Sequence, residues 1–192
     1  MGRKDAILKA AIELFAERGF KGTSTSELAK RANVAEGLIF HYFKNKENIF
    51  VYILNEMMNA YIEGLEGIIE QADTGLKTIE DMVAFHFRFS KKRSKEFIVI
   101  IRDFPFDLMK SGAVAREIIA DQSARLANLM KKCIEQGQKD GSIRDLPAEK
   151  MGFVFLGILN GVSRLKMLSA LNMPDLSSEV MDFCHRAFAR QC

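Results

Sequence analysis

Apolar side chains recur at helical spacing along almost the whole chain, with polar positions between them. The first stripe, spaced i, i+1, i+4, i+7 and i+8 along an amphipathic helix, consists of Ile7, Leu8, Ala11, Leu14 and Phe15. Gly19 is expected to stop this helix, because glycine readily adopts the backbone conformation of a helix end. No segment alternates apolar and polar residues as a strand does, and the chain has neither a Ser/Gly-rich linker nor an internal repeat. The pattern predicts an all-α protein.

Two short helices joined by a tight turn are predicted next. Ser24 and Glu27 form the S-x-x-E capping box that opens a helix, here over Thr25–Ala32. Asn33 tolerates the left-handed backbone of a tight turn, and a second short helix is predicted over Ala35–Phe43. Three N-terminal helices with this turn between the second and third predict a helix-turn-helix, whose second helix enters the major groove of DNA.

Further helices follow, for about nine in total, with capping residues, glycines and prolines marking their ends. Asn45 caps a long helix, which is followed by helices over Leu76–Lys92 and from Ser94 to about Asp103. Pro105 opens a short helix, and Ser111 precedes a long one that reaches about Gln136 and is ended by Gly137 and the Asp140-Gly141 turn. The last two helices run from Pro147 to about Leu171 and from the Ser177 cap to about Arg190.

The charge of the chain is concentrated at its N-terminal end. The 192 residues carry a net charge of only +3, and 48% of them are hydrophobic, which is a globular balance. Residues 1–50 contain nine Lys and Arg against six Asp and Glu, whereas residues 51–192 contain 19 of each sign. The whole surplus therefore belongs to the predicted helix-turn-helix region, as expected for a polyanionic partner.

Cysteine usage and the N-terminus indicate where the protein acts. The three cysteines are an odd number without a C-x-x-C pair, so no disulfide framework is expected and a reducing compartment is favoured. No signal peptide is visible, and the most apolar run, from Met151 to Val162, is too short to span a bilayer. We expect a cytoplasmic protein that joins the nucleoid when it binds DNA and does not enter the membrane.

An enzymatic function finds little support in the residues. His41, His86 and His185 lack the spacing of metal ligands, and no Ser/His/Asp constellation or Gly-rich phosphate loop is present. We therefore expect no catalytic residue, no metal and no cofactor. A binding or scaffold protein that has lost DNA recognition remains an alternative, which Glu36 in the predicted recognition helix slightly favours.

The stretch from Ile7 to Phe50 resembles the DNA-binding domain of the TetR (tetracycline-repressor) family. Three features carry the resemblance: the A-x-x-L-F-x-x-x-G-F run that ends at Gly19-Phe20, the Thr/Ser pair before Glu27-Leu28-Ala29, and the G-x-I-F-x-Y-F-x-x-K-E run from Gly37 to Glu47. The resemblance implies an N-terminal three-helix helix-turn-helix domain over residues 1–48. A helical effector-binding and dimerisation domain is expected over residues 49–192.

Candidate DNA contacts follow from the side chains and from the resemblance. Thr25 and Ser26 offer hydroxyls and free backbone N–H groups to a phosphate, and Lys46 offers a cation. The resemblance assigns phosphate contacts to Thr25, Tyr42 and Lys46. It assigns positions facing the groove to Ala35, Glu36, Gly37, Leu38, Phe40 and His41. The residues interpreted as core without a DNA role are Leu8, Leu14, Phe15, Leu28, Ile39 and Phe43.

Two groove-facing positions depart from the family pattern. Glu36 stands where a basic residue is common, and Leu38 stands where a small polar residue is common. Glu36 can accept a hydrogen bond from a cytosine N4 amine, or it can simply cap the recognition helix. Leu38 can contact a thymine methyl group.

The helix that begins at Pro147 is apolar on nearly every face, which predicts burial against its own core on one side and a second subunit on the other. Gly157 and Gly161 permit close helix approach. The resemblance implies that the last two helices form a homodimer, which binds a palindromic operator in double-stranded DNA. The candidate dimer residues are Phe153, Gly157, Gly161, Leu168, Met181, Cys184 and Phe188.

Phenylalanine is concentrated in the middle of the chain, where six of the 15 lie between Phe85 and Phe106. These rings are typical of ordinary core packing, and they are equally suited to line an apolar ligand cavity. The resemblance places an effector pocket here, with candidates Phe85, His86, Phe89, Phe97, Ile101, Arg102, Phe104, Met109, Leu126, Met130, Phe155 and Asn160. Arg102 or His86 can anchor a polar head, or each is a surface or salt-bridged group. The resulting hypothesis is a ligand-responsive repressor released by a small apolar effector, drug-like or fatty acyl.

Overall fold

The computed structural model describes residues 2–103, 113–168 and 173–190. In these ranges the chain forms α1 (Arg3–Arg18), α2 (Thr25–Ala32), α3 (Glu36–Phe43), α4 (Lys46–Gln71), α5 (Gly75–Lys92), α6 (Ser94–Asp103), α7 (Ala113–Asp140), α8 (Ala148–Leu168) and α9 (Ser177–Phe188). They contain no strand beyond an isolated bridge between Ile143 and Ala189. The all-α prediction is confirmed. No helix in this part of the chain is long and apolar enough to cross a membrane.

The N-terminal helix boundaries follow the predicted capping residues. The Ser24 hydroxyl accepts a hydrogen bond from the Glu27 backbone N–H, and the Glu27 carboxylate accepts one from the Ser24 N–H at 2.9 Å, so the capping box is formed. Asn33 adopts the left-handed conformation with φ 53° and ψ 51°. At the start of α4, the Asn45 side chain accepts a hydrogen bond from the Asn48 N–H at 2.8 Å.

The prediction that Gly137 ends a helix is wrong, because α7 continues through it to Asp140. A Cβ atom on Gly137 would lie 2.4 Å from the Ile143 side chain, and one on Gly75 would lie 2.2 Å from the Gly137 Cα. The glycine permits this close packing, and the turn comes at Gly141, where φ is +79°.

Two other boundary predictions shift at the C-terminal end. Leu176, not Ser177, is the N-cap of α9, and the Asp175 carboxylate accepts the Ser177 N–H at 3.0 Å. The helix ends at Phe188. The predicted helix at Pro105 lies outside the described residues, as do Phe104 and Met109.

The chain divides into two compact units, and the division falls inside α4. The first unit spans Met1–Met58 and Arg93–Ile119. In it, α1 packs against α2 and α6, and α2 packs against α3. Its buried core consists of Ile7, Ala11, Leu14, Phe15, Leu28, Ala29, Ile39, Phe43, Ile49, Phe50, Ile53, Leu54 and Val99. The predicted core residues are confirmed, with Leu8 partly buried. The functional boundary after residue 48 stays a prediction.

The second unit spans Asn59–Lys92 and Ala120–Cys192, and here α5 packs against α8 and α9. Aromatic rings from α4 and α5 meet in its core, where the centroid of Tyr61 lies 5.5 Å from Phe85 and 5.3 Å from Phe89. A Cβ atom on Gly64 would lie 2.2 Å from the Phe85 ring, so a glycine is required for this contact.

Candidate nucleic-acid interface

Helix α3 has one face in the core and the opposite face in solvent. Ile39 and Phe43 are buried in the core of the first unit, where α3 packs against α2. On the opposite side, Phe40 is 51% exposed and Tyr42 is 40% exposed, which is high for aromatic residues. The other predicted groove-facing residues that are exposed are Ala35, Glu36, Gly37 and His41, while Leu38 is half-buried.

Gly37 is not required by the packing of the described residues. A Cβ atom added there would meet no atom of the described residues within 4 Å. The missing side chain therefore leaves open space at the surface of α3. This is the arrangement expected if the close approach involves a partner outside the chain.

The N-terminus of α2 is joined to α3 by a side-chain hydrogen bond. The Thr25 hydroxyl donates to Oε1 of Glu36 at 2.7 Å. Thr25 is half-buried and Ser26 is exposed. The first backbone N–H groups of a helix have no acceptor within it, so those of Thr25 and Ser26 are suited to bind a phosphate oxygen.

The ammonium group of Lys46 connects α4 to the loop between α1 and α2. It donates to the carbonyl oxygens of Phe20 at 2.8 Å and Thr23 at 2.7 Å. It also lies 4.4 Å from the centroid of the Phe20 ring. An ammonium group has three donors, and the described residues accept from two of them, so the third N–H can donate to a phosphate. Lys46 thus combines a structural contact with the predicted DNA contact.

Two arginines near the predicted interface are paired with acids. Arg31 contacts Glu13 and Glu17 on α1, each at 3.3 Å. The hydrogen bond to Glu17 has the largest effect and that to Glu13 the next, and both raise the pKa of the Arg31 guanidinium. Arg18 contacts Glu27 at 2.9 Å. The hydrogen bonds that Ser24 donates from its N–H and hydroxyl lower the pKa of Glu27. These arginines therefore fasten α1 to α2.

The predicted effector residues divide between the two units. Phe97, Ile101 and Arg102 belong to the first unit. Those in the second unit are Phe85, His86, Phe89, Leu126, Met130, Phe155 and Asn160. Most of them are buried or half-buried, but Asn160 is exposed on α8.

His86 occupies a buried polar position that joins three helices of the second unit. Its Nδ1 lies 2.9 Å from the Tyr61 hydroxyl, and its Nε2 lies 2.8 Å from the Ser163 hydroxyl. Burial lowers the pKa of His86 to about 4 and raises the pKa of Tyr61. His86 is therefore neutral at physiological pH. Sequence reasoning missed Ser163, which carries no signal beyond being a polar residue in an apolar helix.

Arg102 caps the end of α1. Its guanidinium donates to the Ala16 carbonyl at 3.0 Å and to the Phe15 carbonyl. A cation at a helix C-terminus compensates the partial negative charge of the last carbonyl groups. This contact is the structural role that Arg102 has in the first unit.

Helix α8 is buried on one face only within a single chain. Phe155 and Leu159 lie in the core, whereas Phe153 is 59% exposed and Val154 and Leu165 are also exposed. An added Cβ at Gly157 or Gly161 would contact nothing within 4 Å in the described part of the chain.

Of the candidate dimer residues on α9, Met181 is half-buried, while Cys184 and Phe188 are fully buried in the core of their own chain. Phe183, which the sequence did not single out, is 57% exposed. Burial raises the pKa of the Cys184 thiol to about 11. The Leu168 side chain lies outside the described residues.

Comparison with known proteins connects both units to bacterial regulators. The family model described as bacterial regulatory proteins, tetR family, matches residues 7–53. The chain is 30% identical to the fatty acid metabolism regulator protein of Bacillus subtilis over 139 residues, which cover 72% of this chain and 70% of that protein.

Two solved structures share the fold over nearly the whole chain. The Bacillus subtilis transcriptional regulator FadR in complex with stearoyl-CoA superposes with a TM-score of 0.81 at 24% identity, covering 96% of this chain and 98% of that chain. AibR in complex with isovaleryl coenzyme A and operator DNA superposes with a TM-score of 0.77 at 20% identity, with 96% of each chain covered.

Proposed function

Since the chain belongs to the TetR family of bacterial regulatory proteins, we propose that it is a homodimeric repressor that binds a palindromic operator and is released by a fatty acyl thioester. The exposed face of α3 carries the DNA-binding part of this proposal. It presents aromatic and polar side chains beside Gly37, which the packing of the described residues does not require. The proposed role is regulatory and not enzymatic, and it is carried out in the cytoplasm at the nucleoid.

The proposed DNA contacts divide between the phosphates and the groove. Thr25, Ser26, Tyr42 and Lys46 bind phosphates, which position the protein without reading the sequence. The residues from Ala35 to His41 that face outward on α3 approach the base edges. The charge surplus of residues 1–50 is present twice in a dimer and supports attraction to DNA at low salt.

The proposed dimer forms through the exposed apolar side of the last two helices. Phe153, Val154 and Leu165 on α8 and Phe183 on α9 are large apolar residues at the surface of a single chain. Exposed apolar patches of this kind mark interaction surfaces. In a two-fold dimer, this patch packs against the same patch of the second subunit. The dimer then has two recognition helices, one for each half of a palindrome.

The proposed effector is a fatty acyl thioester because regulators with this fold bind such ligands. One neighbour is bound to stearoyl-CoA and another to isovaleryl coenzyme A. The second unit offers an aromatic and aliphatic interior around Tyr61, Phe85 and Phe89, which suits an acyl chain. Release requires that the ligand bind one conformation, which does not fit the operator, and that it bind this conformation more tightly than the conformation that fits the operator.

The proposal is tested by fluorescence anisotropy with the full chain and DNA from upstream of its own gene. We expect a complex at low salt that weakens steeply as salt rises, because phosphate contacts release counterions. Stearoyl-CoA is expected to dissociate this complex, whereas coenzyme A alone and stearate are the controls and are expected not to. The absence of a complex at low salt would contradict the proposal, and a complex insensitive to all three compounds would contradict its effector.

A further inference from the structure

We infer that Glu36 reads one base pair in each half of the operator by accepting a hydrogen bond from a cytosine amine, with Thr25 as its positioning residue. This inference rests on the proposed DNA-binding function and adds a base and an acceptor to it. The contact between the two side chains and the exposure of Glu36 support it.

The carboxylate of Glu36 is held at one oxygen and open at the other. Oε1 accepts the Thr25 hydroxyl at 2.7 Å. The side chain is exposed, and no ion pair to Glu36 occurs among the described residues. Glu36 is the first residue of α3, at the helix end that carries a partial positive charge. One anionic acceptor is thus oriented at the start of the recognition helix, on its solvent side.

The hydrogen-bond chemistry of Thr25 sharpens this assignment. A threonine hydroxyl has a single hydrogen to donate, and a DNA phosphate offers only acceptors. Thr25 therefore cannot donate to Glu36 and to a phosphate at the same time. While it holds Glu36, the α2 N-terminus binds a phosphate through its backbone N–H groups alone.

A carboxylate can only accept hydrogen bonds, which restricts the base it tolerates. In the major groove, the donors are the N4 amine of cytosine and the N6 amine of adenine. The adenine amine lies between two acceptors, its own N7 and the O4 of the paired thymine. The cytosine amine has an acceptor on one side only, the O6 of the paired guanine. Repulsion between acceptors and the second carboxylate oxygen therefore favours cytosine.

The test selects duplexes from a random library with the full chain and then measures affinity for all four bases at each half-site position. We expect the wild type to prefer cytosine at one position by roughly tenfold, the size of a good contact to a base edge. Glu36→Gln is expected to shift that preference to adenine, because a glutamine amide pairs with adenine N6 and N7. Glu36→Ala is expected to remove the preference, because binding to the cytosine duplex loses the hydrogen bond to the carboxylate while the other three duplexes lose none.

Matched variants separate base reading from charge and from folding. Glu56→Gln makes the same charge change at an exposed site on α4 and is expected to leave the base preference unaltered. Thr25→Val is expected to weaken the cytosine preference, and Thr25→Ser, which keeps the hydroxyl, is expected to retain it. Circular dichroism of each variant checks that the helices persist.

Two results would overturn the inference, and they are distinguishable. Tight binding by the wild type with the same base preference in Glu36→Ala would show that Glu36 only caps the helix, while the proposed DNA-binding function would stand. Failure of the wild type to select any duplex would overturn the proposed function and this inference with it.

Discussion

The Nζ atom of Lys46 lies 2.8 Å from the carbonyl oxygen of Phe20, to which it donates a hydrogen bond. A second bond to Thr23 and the nearby Phe20 ring complete its surroundings. The start of α4 is thereby fastened to the loop that precedes the helix-turn-helix. A lysine at this position supports the geometry of the proposed DNA interface and would contribute charge to it.

Replacement of Lys46 by methionine is therefore expected to affect stability and DNA affinity together. Loss of charged hydrogen bonds to two carbonyl groups should lower the free energy of unfolding by about 1–2 kcal/mol, measured by urea denaturation. Affinity should fall for every sequence, and the slope of log affinity against log salt should decrease by about one per protomer. Lys30→Met, at an exposed position on α2, is the control. Unchanged affinity of Lys46→Met would show that Lys46 makes no phosphate contact.

The buried His86 predicts how stability depends on pH. Its pKa is about 4 in the folded protein, whereas the unfolded value is near 6.5. Protons therefore bind the unfolded chain first, and stability is lost as the pH falls from about 6.5 towards 4. Between pH 7 and pH 5 this group should contribute a loss of about 2 kcal/mol.

Urea denaturation of His86→Gln at both pH values checks this contribution, because glutamine forms hydrogen bonds without titrating. The variant should lose less stability between pH 7 and pH 5 than the wild type does. His41→Gln, at an exposed position on α3, should retain the wild-type dependence. Equal pH dependence in the wild type and in His86→Gln would show that His86 is not held neutral by burial.

Two glycines in different surroundings should respond oppositely to alanine. At Gly75, a Cβ atom would lie 2.2 Å from the Gly137 backbone, so Gly75→Ala should destabilise the protein by about 1–3 kcal/mol. At Gly67, inside α4, a Cβ atom would contact nothing within 4 Å in the described residues. Gly67→Ala should stabilise by about 0.5–1 kcal/mol, since alanine favours a helix. Thermal and urea unfolding measure both, and a stabilised Gly75→Ala would contradict the close contact.

The proposed dimer predicts that charge on its apolar surface yields a folded monomer. Phe153 is 59% exposed in a single chain, so Phe153→Asp should leave the fold intact and disrupt association. Sedimentation velocity should show half the mass of the wild type, and affinity for a palindrome should fall towards that for a single half-site. Lys132→Glu, at an exposed site on α7, is the control. A dimer of unchanged affinity in Phe153→Asp would place the interface elsewhere.

The helices and the recognition motif follow from local patterns that need no tertiary information. The capping box of Ser24 and Glu27 and the left-handed backbone of Asn33 involve only residues close together in the chain. Their roles in the helix-turn-helix can therefore be predicted from the sequence. The same is true of the apolar stripe of α1, whose spacing alone identifies the face that is buried. The same stretch, from Ile7 to Phe50, resembles the TetR family, and the comparisons confirm that membership.

Contacts between residues that are distant in the chain depend on tertiary packing and could not be predicted from the sequence. Arg102 caps α1 across more than 80 residues, and the hydrogen-bonded residues Tyr61, His86 and Ser163 come from α4, α5 and α8. The sequence around Gly137 predicts a helix end, but in the structure the missing side chain allows Gly137 to pack closely against Gly75 and Ile143. A spacing rule describes one helix at a time and contains no information about the neighbour.

Helix α8 shows the same division within one element. Its composition indicates an apolar helix, but only the folded chain separates the face of Phe155 in the core from the face of Phe153 in solvent. On α9, the fold turns Cys184 inward and Phe183 outward, because α9 packs on α5 and α8 through one side. Local sequence thus determines which helices form and where the DNA-binding motif lies. Tertiary packing decides which of their side chains remain at the surface to meet a partner, since burial depends on elements that are far apart in the chain.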